Sequence, residues 1–105
     1  MSNKVSWQSY DMIVYDPQNN ITWNRVAGVY VFCGLNRNNQ WVALYIGQTN
    51  CFAERMPTHE RWQEAVRRGA THVHAMTVPL AANRDRIEEE LIRVYQPPLN
   101  TAPRK

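Results

Sequence analysis

The sequence predicts an α/β fold in which helices flank a small three-stranded antiparallel sheet. Two alternating apolar runs on either side of an asparagine-rich segment are typical of a β-hairpin. A third β-rich run lies between two segments with helical spacing of apolar residues. This β-β-α-β-α order favours an α/β sandwich, because a doubly wound parallel sheet would need more crossovers than the chain contains.

The predicted hairpin organises the rest of the chain. Its apolar runs, Val29 to Cys33 and Val42 to Ile46, flank the cluster Asn36-Arg37-Asn38-Asn39, whose short polar side chains tolerate the φ angles of a tight turn. A hairpin symmetric about this cluster places Tyr30 directly opposite Tyr45. Directly opposed residues point the same way, so both hydroxyl groups are expected on one face of the sheet.

Glycines accompany both tyrosines. Gly28 and Gly47 each lie two residues from a tyrosine, where the missing Cβ lets a backbone or a ligand approach. The pattern is consistent either with a site built on two phenols or with an aromatic cross-strand pair that only stabilises the hairpin.

One domain covering residues 1–105 is predicted, with a core of 26–100 and an N-terminal extension of 1–25. A chain of 105 residues is long enough for one core, and no repeat, low-complexity tract or linker divides it. The extension contains one candidate strand, Met12 to Tyr15, followed by a turn at residues 16–20.

Helical segments follow the hairpin. Asn50 is a suitable N-cap for a helical turn through Arg55. A second helical segment, Pro57 to Arg68, ends at Gly69, a good residue for the left-handed position after a helix.

The third strand and the last helix complete the chain. Thr71 to Val78 alternates and is rich in β-formers, and Asn83 to Tyr95 is a helix ended by Pro97-Pro98. His72 and His74 would share one face of that strand. No third ligand has suitable spacing, so structural or surface histidines are expected there instead of a metal pair.

Composition points weakly to a nucleic-acid partner. The net charge is +3, and ten of the twelve basic residues are arginines, whose guanidinium groups match phosphate geometry. The apolar runs are strand-length, which excludes a membrane span. The N-terminus lacks a signal-peptide core, so an intracellular, cytoplasmic protein is expected. Cys33 and Cys51 lack the spacing of a zinc site, so buried or unreactive thiols are expected.

Glu88 lies where a surface carboxylate is not expected. Helical geometry places it inside the apolar stripe that includes Ile87 and Leu91, whereas the next two glutamates fall outside this stripe. A carboxylate there is costly unless it meets a cation, a metal or a group of donors. The alternatives are a structural ion pair, with Arg55 or Arg84, and a metal ligand.

In combination these residues resemble the GIY-YIG nuclease family, with Val in place of Ile in the first triplet. The resemblance runs from Gly28 to Asn100, and it includes a His four residues after the Arg. The residues that carry it are Gly28-Val29-Tyr30, Tyr45-Ile46-Gly47, Arg55, His59, Glu88 and Asn100. The family includes the N-terminal nuclease of bacterial excision-repair incision proteins, homing and restriction endonucleases, and structure-specific resolvases.

The resemblance implies a DNA endonuclease that uses Mg²⁺ or Mn²⁺ and leaves a 5′-phosphate. It implies that Glu88 holds a single divalent metal ion and that Arg55 contacts the scissile phosphate. Tyr30 and Tyr45 would flank the attacking water, and Asn100 would tie the C-terminal end to the site.

Two features of the resemblance leave alternatives open. Gln48 replaces a lysine of other members, so if that lysine lowers a tyrosine pKa there, His59 or Arg55 would have to do so here. His59 matches a position occupied by His or Tyr, and either it or one of Tyr30 and Tyr45 would accept the proton of the water.

DNA contacts outside the catalytic residues are predicted on the helical segment Pro57 to Arg68. Arg61, Arg67 and Arg68 would track the DNA backbone, although a solvated helix face would have the same composition. Without a recognition domain, specificity would come from DNA structure or from a protein partner. The alternative function is a nucleic-acid-binding or regulatory module that is inactive without a partner. A pure protein-interaction domain would leave Glu88 unexplained.

Overall fold

The computed structural model describes residues 3–100, in which one antiparallel sheet carries helices on both faces. The strands are β1 (Lys4–Trp7), β2 (Tyr10–Tyr15), β3 (Gly28–Leu35), β4 (Trp41–Thr49) and β5 (His72–Thr77). The helices are α1 (Phe52–Arg55), α2 (Glu60–Arg67) and α3 (Ala81–Tyr95), with a 3-10 turn at Met56–Thr58 between α1 and α2. In space the strands follow the order β1-β2-β5-β3-β4.

The predicted α/β class is confirmed, but the sheet has five strands and not three. The additional hairpin is made by β1 and β2, and β2 extends the sheet by pairing with β5. The candidate strand Met12 to Tyr15 is the second part of β2. Only Trp7 and Met12 are fully buried in this hairpin, so most of its residues are polar or partly exposed and give little strand signal.

The register of the β3–β4 hairpin differs from the symmetric prediction. Tyr30 lies opposite Gly47, and Tyr45 lies opposite Phe32, so the two tyrosines are diagonal neighbours. Their ring centroids are 6.3 Å apart, and both rings lie on the same face. The prediction of direct opposition was wrong, and the prediction of a common face is confirmed.

Two extra residues in this hairpin cause the shift. The loop is closed by a hydrogen bond from the backbone N–H of Asn36 to the carbonyl of Gln40 and by one from the N–H of Gln40 to the side-chain oxygen of Asn36. Within the loop, Asn39 adopts a left-handed φ of 61°. Further along β4, Leu44 bulges out of the ladder, because Phe32 pairs with the residue after it and Cys33 with the residue before it. Since side chains alternate with a period of two, the two-residue displacement leaves both tyrosines on the predicted common face. Between the loop and the bulge the displacement is one residue, so Ala43 shares the face of Cys33 and not that of Phe32.

Alternate residues of β3 divide the core into two layers. Val29, Val31 and Cys33 pack with α3, which contributes Ile87 and Leu91. Tyr30 and Phe32 lie on the opposite face and pack with residues from the α1–α2 side, including Phe52 and Ala65. The tyrosines therefore face α1 and α2.

The helix boundaries differ in detail from those predicted. Cys51, not Asn50, is the N-cap of α1, and Pro57 lies in the 3-10 turn, so α2 begins only at Glu60. Gly69 follows α2 with a φ of 109°, as its predicted stop position requires. No helix within residues 3–100 has both the length and the apolar character needed to cross a membrane.

His74 is a structural histidine at the centre of the sheet. It is completely buried, and its Nδ1 accepts a hydrogen bond of 2.9 Å from the indole N–H of Trp7. Its ring also lies edge-on to Trp41, with centroids 4.4 Å apart. Burial, and secondarily the charge of His72, lowers the pKa of His74 to about 4.

We expect the protein to lose stability as the pH falls from about 6.5 towards about 4. The pKa of His74 is about 4 in the folded chain against 6.5 for an ordinary histidine, so the unfolded chain binds the extra proton in this range. The contribution of His74 is complete above pH 6.5, and about 2 to 3 kcal/mol of it is lost by pH 4.5. Urea unfolding at pH 7.5 and pH 4.5 measures this difference.

Two variants separate His74 from the other histidine of β5. His74→Phe should remove the part of the pH dependence that His74 contributes and leave the part from His59, whose pKa is also lowered to about 4. His72→Gln, at a more exposed position, should leave the pH dependence nearly unchanged. Equal slopes for His74→Phe and the parent protein would contradict the assignment.

Candidate active site

Two tyrosines form the centre of the candidate site. Tyr30 is 1% exposed, whereas Tyr45 on β4 is partly exposed. The ring of Tyr30 lies across Gly47, where a Cβ would come within 2.5 Å of the Tyr30 hydroxyl oxygen. Glycine is therefore required at position 47 for the phenol to reach the edge of the sheet.

His59 holds the hydroxyl of Tyr30. It is the N-cap of α2, and its Nδ1 accepts a hydrogen bond of 3.1 Å from the backbone N–H of Arg61. Its Nε2 lies 2.6 Å from the Tyr30 hydroxyl. Because Nδ1 is an acceptor, the proton of the neutral imidazole is on Nε2, and His59 donates to the phenol oxygen.

The charge state of His59 follows from its surroundings. Burial, and then the positive charge of Arg55, lowers the pKa of His59 to about 4. The imidazole is therefore neutral at pH 7. With Nε2 protonated and Nδ1 engaged, it is a donor to Tyr30 and has no lone pair with which to accept a proton from that side.

Arg55 lies at the end of α1 and forms a two-pronged ion pair with Glu60. Its Nη1 and Nη2 lie 2.7 Å and 3.0 Å from the two carboxylate oxygens. The hydrogen bond from Arg55 lowers the pKa of Glu60 to about 2, and the same hydrogen bond raises the pKa of Arg55. A carboxylate thus occupies the face of the guanidinium that matches a phosphate.

Sequence reasoning did not find Glu60. The 3-10 turn and the change of direction at His59 lie between the two partners, so their contact is not an ordinary helical spacing. Only the tertiary structure shows that Arg55 is paired.

Glu88 reaches the same site from α3. Its Oε1 accepts a hydrogen bond of 2.8 Å from the side-chain amide of Gln48, which follows Gly47 on β4. Among residues 3–100 no ion pair joins Glu88 to Arg55 or Arg84, which were its two predicted cationic partners. The structure therefore places this carboxylate against Gln48 on the edge strand β4, where its charge still acts on the pKa values of both tyrosines, and not in an internal ion pair.

Burial and neighbouring charges shift the pKa values of both tyrosines. Burial raises the pKa of Tyr30, with a further rise from the charge of Tyr45, and Arg55 opposes it. Burial raises the pKa of Tyr45, with a further rise from Glu88, whereas Arg55 and Arg61 lower it. The carboxylate and the guanidinium are thus close enough for both to influence the phenols.

The donor set fits a hard divalent cation. In the part of the chain that the structure describes, no group of three or more His, Cys, Asp or Glu side chains surrounds one point. Asp85 also accepts a hydrogen bond from Gln48, of 2.6 Å, which brings a second carboxylate next to Glu88. Magnesium is commonly held by one or two carboxylates and several waters, so these residues suit it.

Asn100 closes the open edge of β4. Its side-chain Oδ1 accepts from the N–H of Ile46 at 2.7 Å, and its Nδ2 donates to the carbonyl of Ile46 at 2.9 Å. The backbone N–H of Leu99 also donates to the carbonyl of Leu44. The amide thus takes the place of a neighbouring strand beside the site.

We expect Asn100→Ala to lower the free energy of unfolding by about 1 to 3 kcal/mol, because it leaves both backbone groups of Ile46 without their partner. Asn100→Asp keeps the acceptor and loses the donor, so its effect should be smaller. Urea unfolding measures both variants. Equal stability of Asn100→Ala and the parent protein would contradict a role in holding this edge.

The predicted DNA-contacting arginines separate into two groups. Arg61 lies near the phenols, with its guanidinium carbon 6.0 Å from the centre of the Tyr45 ring, and it pairs with Glu64 at 2.6 Å. Arg67 and Arg68 are exposed near the other end of α2. Only Arg61 converges with the site.

The fold is similar to that of solved nuclease domains. The GIY-YIG N-terminal endonuclease domain of UvrC from Thermotoga maritima, bound to magnesium as its catalytic divalent cation, is 23% identical with a TM-score of 0.59. The match covers 75% of this chain and 88% of that one. A point mutant of that domain, bound to its catalytic divalent cation, is 24% identical over 75% of this chain and 87% of that one, again with a TM-score of 0.59.

No protein-family model matches the sequence, and no curated protein matches it. The structural similarity nevertheless covers most of the chain. The chain therefore has the fold of GIY-YIG nuclease domains.

Proposed function

We propose that this protein is a metal-dependent endonuclease that hydrolyses phosphodiester bonds in DNA and leaves a 5′-phosphate. The observation that supports the proposal is that Tyr30 and Tyr45 lie on one face of the sheet, where the charges of Arg55 and Glu88 both act on their pKa values. These residues come from four elements, β3, β4, α1 and α3. An aromatic pair that only stabilised the hairpin would not need Arg55 and Glu88 nearby.

Arg55 is proposed to bind the scissile phosphate. Two nitrogens of its guanidinium bind the two carboxylate oxygens of Glu60, which is a bidentate geometry. A phosphate group offers two oxygens in the same arrangement, so a phosphate of DNA can replace Glu60 on the Arg55 guanidinium. The Glu60 side chain is largely exposed in this pair, and ion pairs open to solvent contribute little free energy, so the exchange costs little.

Tyr45 is proposed to accept the proton of the attacking water. It is the more exposed of the two phenols, whereas Tyr30 is buried and already accepts from His59. Only the phenolate form of Tyr45 can act as a base, and burial, with Glu88, raises the pKa of Tyr45 against this form. Arg55 and Arg61 lower the pKa, and a cation at Glu88 would remove the opposing charge of the carboxylate.

Tyr30 and His59 are proposed to orient the site. The imidazole N–H fixes the hydroxyl oxygen of Tyr30, so the phenol must donate its own proton away from His59. A divalent cation held at Glu88 would offset the carboxylate charge beside Tyr45 and stabilise the leaving alkoxide. Specificity is proposed to come from DNA structure or a protein partner.

Cleavage of a nucleic-acid panel tests the proposal. Supercoiled, linear, nicked, branched and single-stranded DNA and a matched RNA are incubated with Mg²⁺, with Mn²⁺ or with a chelator. We expect DNA cleavage that requires the metal and that Arg55→Ala, purified in parallel, does not perform. Tight DNA binding without cleavage under every condition would instead favour a nucleic-acid-binding module that needs a partner.

A further inference from the structure

A buried arginine orients the side chain of Gln48. Arg84 is 8% exposed, and its Nη1 donates to the backbone carbonyls of Val78 at 3.0 Å and Pro79 at 2.9 Å. Its Nε donates to the side-chain oxygen of Gln48 at 3.2 Å. Because a guanidinium only donates, the amide oxygen of Gln48 must face Arg84, and the amide nitrogen must face away from it.

The amide nitrogen of Gln48 bridges two carboxylates. It donates to Oδ1 of Asp85 at 2.6 Å and to Oε1 of Glu88 at 2.8 Å, so each of its two hydrogens has one acceptor. Asp85 and Glu88 are three residues apart on α3, where like charges repel. Sharing one donor holds the carboxylates together despite this repulsion.

Each of these carboxylates keeps a second oxygen. Within residues 3–100 these second oxygens have no hydrogen-bond partner or cation, since the nearby guanidinium of Arg84 is used by two carbonyls and Gln48. Two adjacent carboxylates, each with a free oxygen, are ligands that Mg²⁺ and Mn²⁺ prefer.

We propose that Gln48 is a positioning residue, oriented by Arg84, that holds Asp85 beside Glu88 so that both carboxylates bind the divalent cation. The inference rests on the proposed nuclease function for the use of that cation, but the binding itself does not depend on DNA. It adds Asp85 to the cation site and gives Gln48 and Arg84 a role in placing the ligands.

Binding of Mn²⁺ to the purified protein without DNA tests the inference, with free Mn²⁺ measured by electron paramagnetic resonance. We expect Asp85→Asn and Gln48→Met each to raise the Kd for Mn²⁺ by about 10-fold or more, the usual effect of losing a partner of the metal ligands.

Glu89→Gln is the matched control. It removes one negative charge from the next position of the same helix but lies on an exposed face, so the Kd should stay within about twofold of the parent value. Asp85 is also exposed, so Asp85→Asn should fold normally, which circular dichroism and a melting curve verify. If Asp85→Asn binds Mn²⁺ as tightly as the parent protein, or if the parent protein does not bind it, the inference is overturned.

Mn²⁺ binding and DNA cleavage test the cation site and the nuclease activity separately. Loss of Mn²⁺ affinity in Asp85→Asn with no cleavage of any DNA would support the two-carboxylate site and reject the nuclease. Metal-dependent cleavage with unchanged Mn²⁺ affinity in Asp85→Asn and Gln48→Met would support the nuclease and reject the site.

Discussion

Glu88→Gln should reduce the rate of DNA cleavage by at least about 10³-fold while leaving the protein folded. The substitution keeps the size of the side chain and an oxygen that accepts from Gln48, and it removes the negative charge that would bind the cation. The loss should appear in kcat more than in KM, since the charge acts on the leaving group and not on remote parts of the DNA. Single-turnover cleavage of the best substrate in Mg²⁺ measures it.

The neighbouring Glu89 supplies the control for this prediction. Glu89→Gln changes the net charge by the same amount on the same helix, but Glu89 is exposed and outside the site. Its cleavage rate should stay within about twofold of the parent rate, because a single exposed charge contributes little through solvent. Comparable losses in Glu88→Gln and Glu89→Gln would show that net charge, and not a cation site, explains the effect.

Gly47→Ala should both destabilise the protein, by about 1 to 3 kcal/mol, and abolish cleavage. The added Cβ would lie 2.5 Å from the hydroxyl oxygen of Tyr30 and 2.7 Å from its Cζ. The ring cannot swing away freely, because Tyr30 is 1% exposed and His59 holds its hydroxyl. Urea unfolding and the cleavage assay are carried out on the same preparation.

A double-mutant cycle identifies the cause of the Gly47→Ala effect. In a Tyr30→Phe background the alanine should cost less stability, since the nearest atom of the clash is then missing, although Cζ remains. An equal cost in both backgrounds would place the problem in the β4 backbone. A cost below about 0.5 kcal/mol for Gly47→Ala alone would mean that the phenol does not cross this glycine.

The elements that sequence reasoning predicted best are those with a strong period. Thr71 to Val78 and the last helix were found because alternation and helical spacing report burial directly, and the structure confirms β5 and α3 there, with α3 beginning two residues earlier. In the first hairpin only part of β2 was predicted, and β1 was not, because both strands bury few residues. Their place in the sheet depends on pairing with β5, which is distant in sequence.

The candidate site shows the same division. The motif residues could be recognised one by one, since their types and spacing are local, and Asp85 could have been found from its spacing of three residues to Glu88 on one helix. The contacts of Arg55 with Glu60 and of Gln48 with Arg84 cross helix ends or join a strand to a helix. Such contacts have no period and leave no local pattern.

The sequence alone determined the α/β class, the β3–β4 hairpin with both phenols on one face, and the GIY-YIG motifs, because alternation and residue type are properties of neighbouring positions. The tertiary structure decided the two-residue shift of the register and the contact of Glu88 with Gln48 on the edge strand. It also decided the neutral state of His59 and the pairing of two carboxylates through Gln48. These depend on the loop, the bulge and the packing of α3, which bring together groups that the chain keeps far apart.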